Sequence, residues 1–220
     1  MIAEELIVDN IPPLKLTDTG ETALRWMDEF KINHLSVVDK AQFLGTLSES
    51  DVLGMVDIGE SIENYKELLN PACVIEDQHI FEVVKVVNDQ KLTIIPVLDT
   101  REHYKGSITI SQLMNIIADM PVVNNPGGII VLELNNNDYS LHSIARIIEE
   151  NDAKLLGTFI TSHPDSTKML LTLKVNTIEI GSIIAALQRH GYSITFFEDQ
   201  GNSNDDIQDR FDSFMNYLNL

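Results

Sequence analysis

Six histidines, one cysteine and 34 carboxylates are the side chains of this sequence best suited to chemistry. His34, His79, His103, His142, His163 and His190 stand apart. None pairs with another at i, i+4 on a helix face, and none lies at metal-ligand spacing from Cys73. A serine nucleophile on a strand-to-helix elbow needs Gly-x-Ser-x-Gly, and a phosphate-cradling loop needs the P-loop run; neither occurs. Cys73 follows Pro71 and Ala72 with no mark of an activated thiol, and reads as a small core residue. Carboxylates are plentiful, but abundance alone does not make a constellation. The spacing predicts a protein that is not an enzyme.

Charge and composition narrow the classes further. The net charge is −19, from 15 basic and 34 acidic residues, with no basic cluster. A general nucleic-acid binder has to neutralise phosphates, so DNA and RNA are set aside as partners. Apolar runs such as 127–134 fall short of the roughly 20 residues that span a bilayer, so no membrane partner is expected. The first ten residues, MIAEELIVDN, are acidic where a secretory signal is basic. One cysteine permits no internal disulfide. The expectation is a cytoplasmic protein. With 220 residues and 44% hydrophobic side chains, the chain is long and apolar enough for one large or two ordinary domains.

The elements around these residues repeat. Segment 31–39, KINHLSVVD, is followed by 45–53, GTLSESDVL; segment 91–99, KLTIIPVLD, is followed by 106–114, GSITISQLM. Asp39 and Asp99 are 60 positions apart, Gly45 and Gly106 are 61 apart, and EELI at 4–7 returns as KELL at 66–69. Proline follows in both copies, as Pro12 and Pro13 and as Pro71. Each copy predicts an extended entry segment, a helix, two strands and a second helix. The first helices fall over 21–30, with Ala23, Leu24, Met27 and Phe30 at helical spacing and Thr19 or Asp18 as cap, and over 81–88, with Val83, Val84 and Val87. The runs 35–38 and 93–98 read as buried strands, with turns at 39–42 and 99–104.

The strand ending in Val-Val-Asp or Val-Leu-Asp, the turn, and Gly-x-hydrophobic-Ser/Thr-x-x-Asp resemble the cystathionine-β-synthase (CBS) domain, here as two copies in register. The resemblance implies a tandem pair over 1–122, copy one about 1–60 and copy two about 61–122. It also implies a homodimer formed through the pair, and two clefts that often take adenosine-type ligands. The chemistry is coherent. A carboxylate accepts two hydrogen bonds from a ribose diol, and a hydroxyl at a helix start joins free backbone N–H groups around a phosphate. On this pattern Ser48 holds the hydroxyl position and Asp51 the ribose position of the first copy. Pro13 and Leu14 from the entry segment surround them, with His34, Leu35 and Ser36 from the strand. In the second copy Thr109 keeps the hydroxyl, but Gln112 stands where the carboxylate belongs, and an amide holds a ribose more weakly. One intact nucleotide site is the most the pattern allows. A second reading of the same residues stays open: Asp51 caps a helix over 51–56. Glu49, Asp51, Asp57 and Glu60 oppose a triphosphate, and His34 and Lys15 are the only basic candidates nearby. An AMP-like or adenosine-like ligand, or none, fits better, and no cofactor is required.

After residue 120 the pattern changes. PVVNNPGG at 121–128 is a turn-rich linker. Strands are predicted over 128–134, 153–161, 168–175 and 192–198, and helices over 139–151 and 178–190. That order, βαββαβ, is the ferredoxin-like plan. After a regulatory pair it resembles an ACT domain, assigned to 127–198. Its first turn, 135–140, carries no glycine, so a dimerising or relay role is favoured over an amino-acid site. Asn135 and Asp138 are the residues to watch there, against turn formation and capping. The order CBS–CBS–ACT-like, an α+β architecture, resembles the acetoin-utilisation protein B family. Residues 199–220 form an acidic tail in which Ile207, Phe211, Phe214 and Leu218 have helical spacing. The function expected is non-catalytic ligand sensing passed to the ACT-like module or to a regulated protein partner. The alternative is a constitutive scaffold subunit with degenerate clefts.

Overall fold

The computed structural model describes residues 1–8, 10–165 and 167–198, so the acidic tail lies outside the described residues. The chain divides into two compact units, Met1–Ile117 and Ala118–Leu220.

In the first unit, α1 (Gly20–Phe30) starts where the Thr19 side chain accepts the Thr22 N–H, and it buries Ala23 and Met27. It stops at Lys31, whose left-handed backbone (φ 56°) turns its N–H back onto the Met27 carbonyl. The hairpin β1 (His34–Asp39) and β2 (Gln42–Ser48) follows, then α2 (Glu49–Leu53). The second copy repeats this with β3 (Val74–Ile75), α3 (Ile80–Gln90), β4 (Ile94–Leu98), β5 (Tyr104–Thr109) and α4 (Ile110–Asp119). α3 ends like α1, at Lys91 with φ 54° and an N–H onto Val87.

The two copies are sewn together by their entry segments. Leu14 pairs in parallel with Val37 of its own hairpin, as Val74 of β3 does with Val97. On the far edges the segments cross over. Asn70 of copy two pairs with Thr46 of β2, and Val8 of copy one pairs with Ser107 of β5. Each crossing needs a glycine beside it. A Cβ on Gly45 would stand 2.6 Å from Leu69 Cβ, and one on Gly106 would stand 2.4 Å from Ile7 Cγ2. This is why glycine recurs at equivalent places in the two copies: a neighbouring chain passes too close for a side chain. Leu14, Leu35, Val37, Leu47, Val52, Ile62 and Ile94 fill the core beneath.

The second unit opens with a short helix, α5 (Pro121–Asn124), inside the segment expected to be plain linker. Then come β6 (Ile129–Asn135), α6 (Leu141–Glu149), β7 (Leu155–Ser162), β8 (Lys168–Val175), α7 (Gly181–Arg189) and β9 (Ser193–Glu198). The sheet order is β7-β8-β6-β9, antiparallel throughout. In the order of their appearance in this unit the strands lie 2-3-1-4, and both helices pack on one face. The alternation in β8 buries Leu171, Leu173 and Val175, which meet Ile144, Ile147 and Ile148 of α6 and Ile183, Ile184 and Leu187 of α7.

Candidate functional site

Ser48 and Asp51 close on each other. The Ser48 hydroxyl accepts the Asp51 N–H at 3.1 Å, and Asp51 Oδ2 accepts the Ser48 N–H at 3.1 Å and its O–H at 2.5 Å. This reciprocal capping box starts α2 two residues earlier than the sequence pattern suggested, with Ser48 as the cap and Asp51 at the third helical position. The run Ser-Glu-Ser-Asp offers three cap-forming side chains. The choice is made outside the helix, because the Glu49 N–H is taken by the Asn33 carbonyl at 2.8 Å. One Asp51 carboxylate oxygen anchors the helix, and Oδ1 has no hydrogen-bond partner among the described residues. The side chain is half-buried.

His34 lies opposite Ser48 across the hairpin. Its Nδ1 accepts the Thr93 N–H at 3.2 Å and lies 3.0 Å from Thr93 Oγ1, whose oxygen accepts the Asn33 N–H at 3.0 Å. A nitrogen that accepts a backbone N–H carries no proton, so the neutral ring holds its hydrogen on Nε2. Burial pushes the His34 pKa below its ordinary value, and the Asp51 carboxylate opposes that by favouring the charged ring. Ser48, Asp51 and His34 therefore share one locus, together with Thr93, which the motif did not single out. The repeat held the clue: Thr93 stands 60 positions after Asn33, a polar residue at the same strand entry.

The other predicted residues are placed differently. Leu14 and Leu35 are fully buried in the core, and Ser36 is buried with its hydroxyl 3.0 Å from Ser107 Oγ. Pro13 is half-buried at the entry segment. In the second copy Thr109 Oγ1 accepts the Gln112 N–H at 3.0 Å, the counterpart of the first half of the box, but no return bond from the Gln112 side chain is present. The acidic residues beyond α2 serve their loop. Asp57 accepts the Gly59 N–H, and Glu60 accepts from Tyr65 and Asn64.

A buried polar seam crosses between the copies beside this locus. Ser107 Oγ is within 3.0 Å of both Ser36 Oγ and the Tyr104 hydroxyl, and burial raises the Tyr104 pKa against those bonds. Thr46 occupies in copy one the place of Ser107 in copy two, yet its buried Oγ1 has no partner among the described residues. The reason is the partner position: where the first strand has Ser36, the second has Pro96, which carries no hydroxyl.

In the second unit Asn135 donates to Asp138 at 2.8 Å within the turn after β6, and Ser140 caps α6. Glu133 holds Lys168 at 2.5 Å and faces His163 Nε2 at 3.4 Å. These contacts hold the Glu133 carboxyl below its usual range. Among the described residues no three His, Cys, Asp or Glu side chains converge on a metal position, and no helix is long and apolar enough to cross a membrane.

No protein-family model matches the chain. Among solved structures, it is similar to a CBS domain pair/ACT domain protein from Thermotoga maritima (TM-score 0.48, 19% identical), over 54% of this chain and 98% of that one. It is similar to CBSX2 in complex with AMP (TM-score 0.46, 18% identical), over 53% of this chain and 95% of that one. It is also similar to the cytosolic domain of the Mg2+ channel MgtE in complex with ATP (TM-score 0.43, 24% identical), over 52% of this chain and 48% of that one. Each likeness extends over about half of the present chain.

Proposed function

We propose that the repeated pair is a non-catalytic sensing unit. It takes an adenosine-type ligand at the first copy's locus, with Asp51 on the ribose diol, and relays occupancy to the βαββαβ module or to a protein partner. The reading rests chiefly on the Asp51 carboxylate: Oδ2 is fixed by Ser48 while Oδ1 has no partner among the described residues, so the acceptor is oriented before ligand arrives. Electrostatics sharpens the ligand class. α2 has five residues and two acids, Glu49 and Asp51, in its first turn. So short a helix offers little dipole to a phosphate, and those acids repel one. Adenosine and AMP therefore bind better than ADP, and ADP better than ATP. The repeat followed by the βαββαβ module is also the order of the acetoin-utilisation protein B family, to which we assign the chain on its motifs.

A panel of adenosine, AMP, ADP, ATP and S-adenosylmethionine, read by thermal shift and calorimetry, tests the proposal. Ligand at a hundredfold excess over its dissociation constant adds about 2.7 kcal/mol of stability. Asp51→Asn, which keeps a capping side chain, removes that gain. No shift with any of the five overturns the proposal in favour of a constitutive scaffold. That alternative has its own support in Gln112 and in the complete burial of Leu14 and Leu35. In either case we propose a homodimer through the exposed apolar side of α3 and α4, where Phe81 is 68% exposed and Met114, 57% exposed, lines a groove of about 370 Å3 with Val84 and Ile110.

A further inference from the structure

An unbroken path of hydrogen bonds links the first residue of α2 to the first residue of α4. The Glu49 N–H donates to the Asn33 carbonyl (2.8 Å), and the Asn33 N–H donates to Thr93 Oγ1 (3.0 Å). The Thr93 N–H donates to His34 Nδ1 (3.2 Å), and the Thr93 carbonyl accepts the Ile110 N–H (3.1 Å). The path passes from copy one to copy two at Thr93, whose hydroxyl meets Asn33 and whose N–H meets the His34 ring, and it touches both helices that begin at the repeated Ser/Thr-x-x-Asp/Gln segments. We propose that His34 is a latch that couples the two loci: its neutral ring holds Thr93, and through it the start of α4, to the strand that carries the Asp51 site. This rests on the reading of Asp51 as the sensing residue.

The latch has a defined open state. Protonating Nδ1 displaces the Thr93 N–H, because a nitrogen with its own hydrogen cannot accept one. The Thr93 hydroxyl can turn to accept from the new N–H, but the Thr93 amide loses its partner and the carbonyl that holds Ile110 moves with it. The charged groups on the surrounding elements are Glu49 and Asp51 of α2, Lys31 before β1 and Lys91 before β4. Of these Asp51 is the one that bears on the ring, and it favours the open, charged form. A ligand that takes up the Asp51 carboxylate weakens that pull and so keeps the latch closed. Occupancy at the first copy thereby stiffens the start of α4 in the second, a coupling carried by the differing contacts of two states.

The test uses the proton as probe, with no nucleotide, on the full chain. Amide and imidazole NMR signals are followed from pH 8 to pH 5 in wild type, Asp51→Asn and Thr93→Val. In wild type the Thr93 and Ile110 amides follow the His34 midpoint, and the Thr93 amide exchanges with solvent about tenfold faster below it, after correction for intrinsic rates. Asp51→Asn lowers the midpoint for all three signals together. In Thr93→Val the backbone N–H and carbonyl of the path remain, so the ring still titrates and the Ile110 response persists. An Ile110 amide that ignores the His34 midpoint in wild type, or stops following it in Thr93→Val, overturns the latch. Should Thr93→Val fail to fold, the joint midpoint shift in Asp51→Asn decides alone, and separate midpoints overturn the proposal. A latch that titrates as described while the ligand panel gives no shift leaves the coupling standing and removes only the adenosine reading.

Discussion

Thr46 and Ser107 occupy equivalent places in the two copies and meet opposite fates. Ser107 shares its hydroxyl with Ser36 and Tyr104, whereas the Thr46 hydroxyl is buried without a partner among the described residues, because Pro96 stands where a serine would answer it. A buried orphan hydroxyl costs its full desolvation and returns nothing. Thr46→Val removes the oxygen and keeps the shape, so it raises stability by about 1 kcal/mol, measured by urea unfolding at pH 7.5. The matching change Ser107→Ala should cost stability, since it strands Ser36. A finding that both changes destabilise equally would contradict the assignment. The same asymmetry governs Asp51 and Gln112. One copy has a carboxylate locked by a reciprocal box, and the other has an amide with only half of it.

At the scale of elements, the crossing of the entry segments decides what β2 and β5 can carry. Both crossings forbid a Cβ, but not equally. Beside Gly45 stand Leu69 Cβ at 2.6 Å and the Asn70 carbonyl oxygen at 3.1 Å, which the backbone holds in place. Beside Gly106 stands the Ile7 Cγ2 at 2.4 Å, the end of a side chain that can rotate away. Gly45→Ala therefore costs about 2–3 kcal/mol and Gly106→Ala nearer 1, within the range of overpacked sites. Paired thermal melts of the two variants check the ordering. The helices and strands themselves were legible from periodicity: Ala23 and Met27 of α1, and the alternation of β8, fall on the buried faces. The start of α2 was not, because three adjacent cap-forming residues compete and a contact from Asn33, fifteen positions upstream of Ser48, selects among them.

At the scale of the whole molecule, the first unit leaves one apolar side without cover. Phe81 and Val84 of α3 and Ile110 and Met114 of α4 are at least 37% exposed. The proposed dimer buries them, and Met114→Glu should leave a monomer of unchanged fold, read by light scattering on a sizing column. A wild-type monomer at micromolar concentration would remove the dimer from the proposal. The latch and this face share α4, since Ile110 begins the helix and is exposed on its apolar side. Ligand at the first copy would then reach the dimer through one helix.

The sequence by itself determined the repeat, the order of the strands and longer helices in both units, the break in type near residue 120, and the loss of a carboxylate at Gln112, because these depend on local periodicity and on residue identity at equivalent positions. Only the tertiary structure decided that Leu14, Leu35 and Ser36 belong to the core and the polar seam, that Asp51 keeps one oxygen without a partner among the described residues, and that His34 reaches Thr93. The His34–Thr93 contact and the Ser36–Ser107 seam join residues 59 and 71 positions apart, where a hydrogen bond forms or fails with the placement of an entire copy.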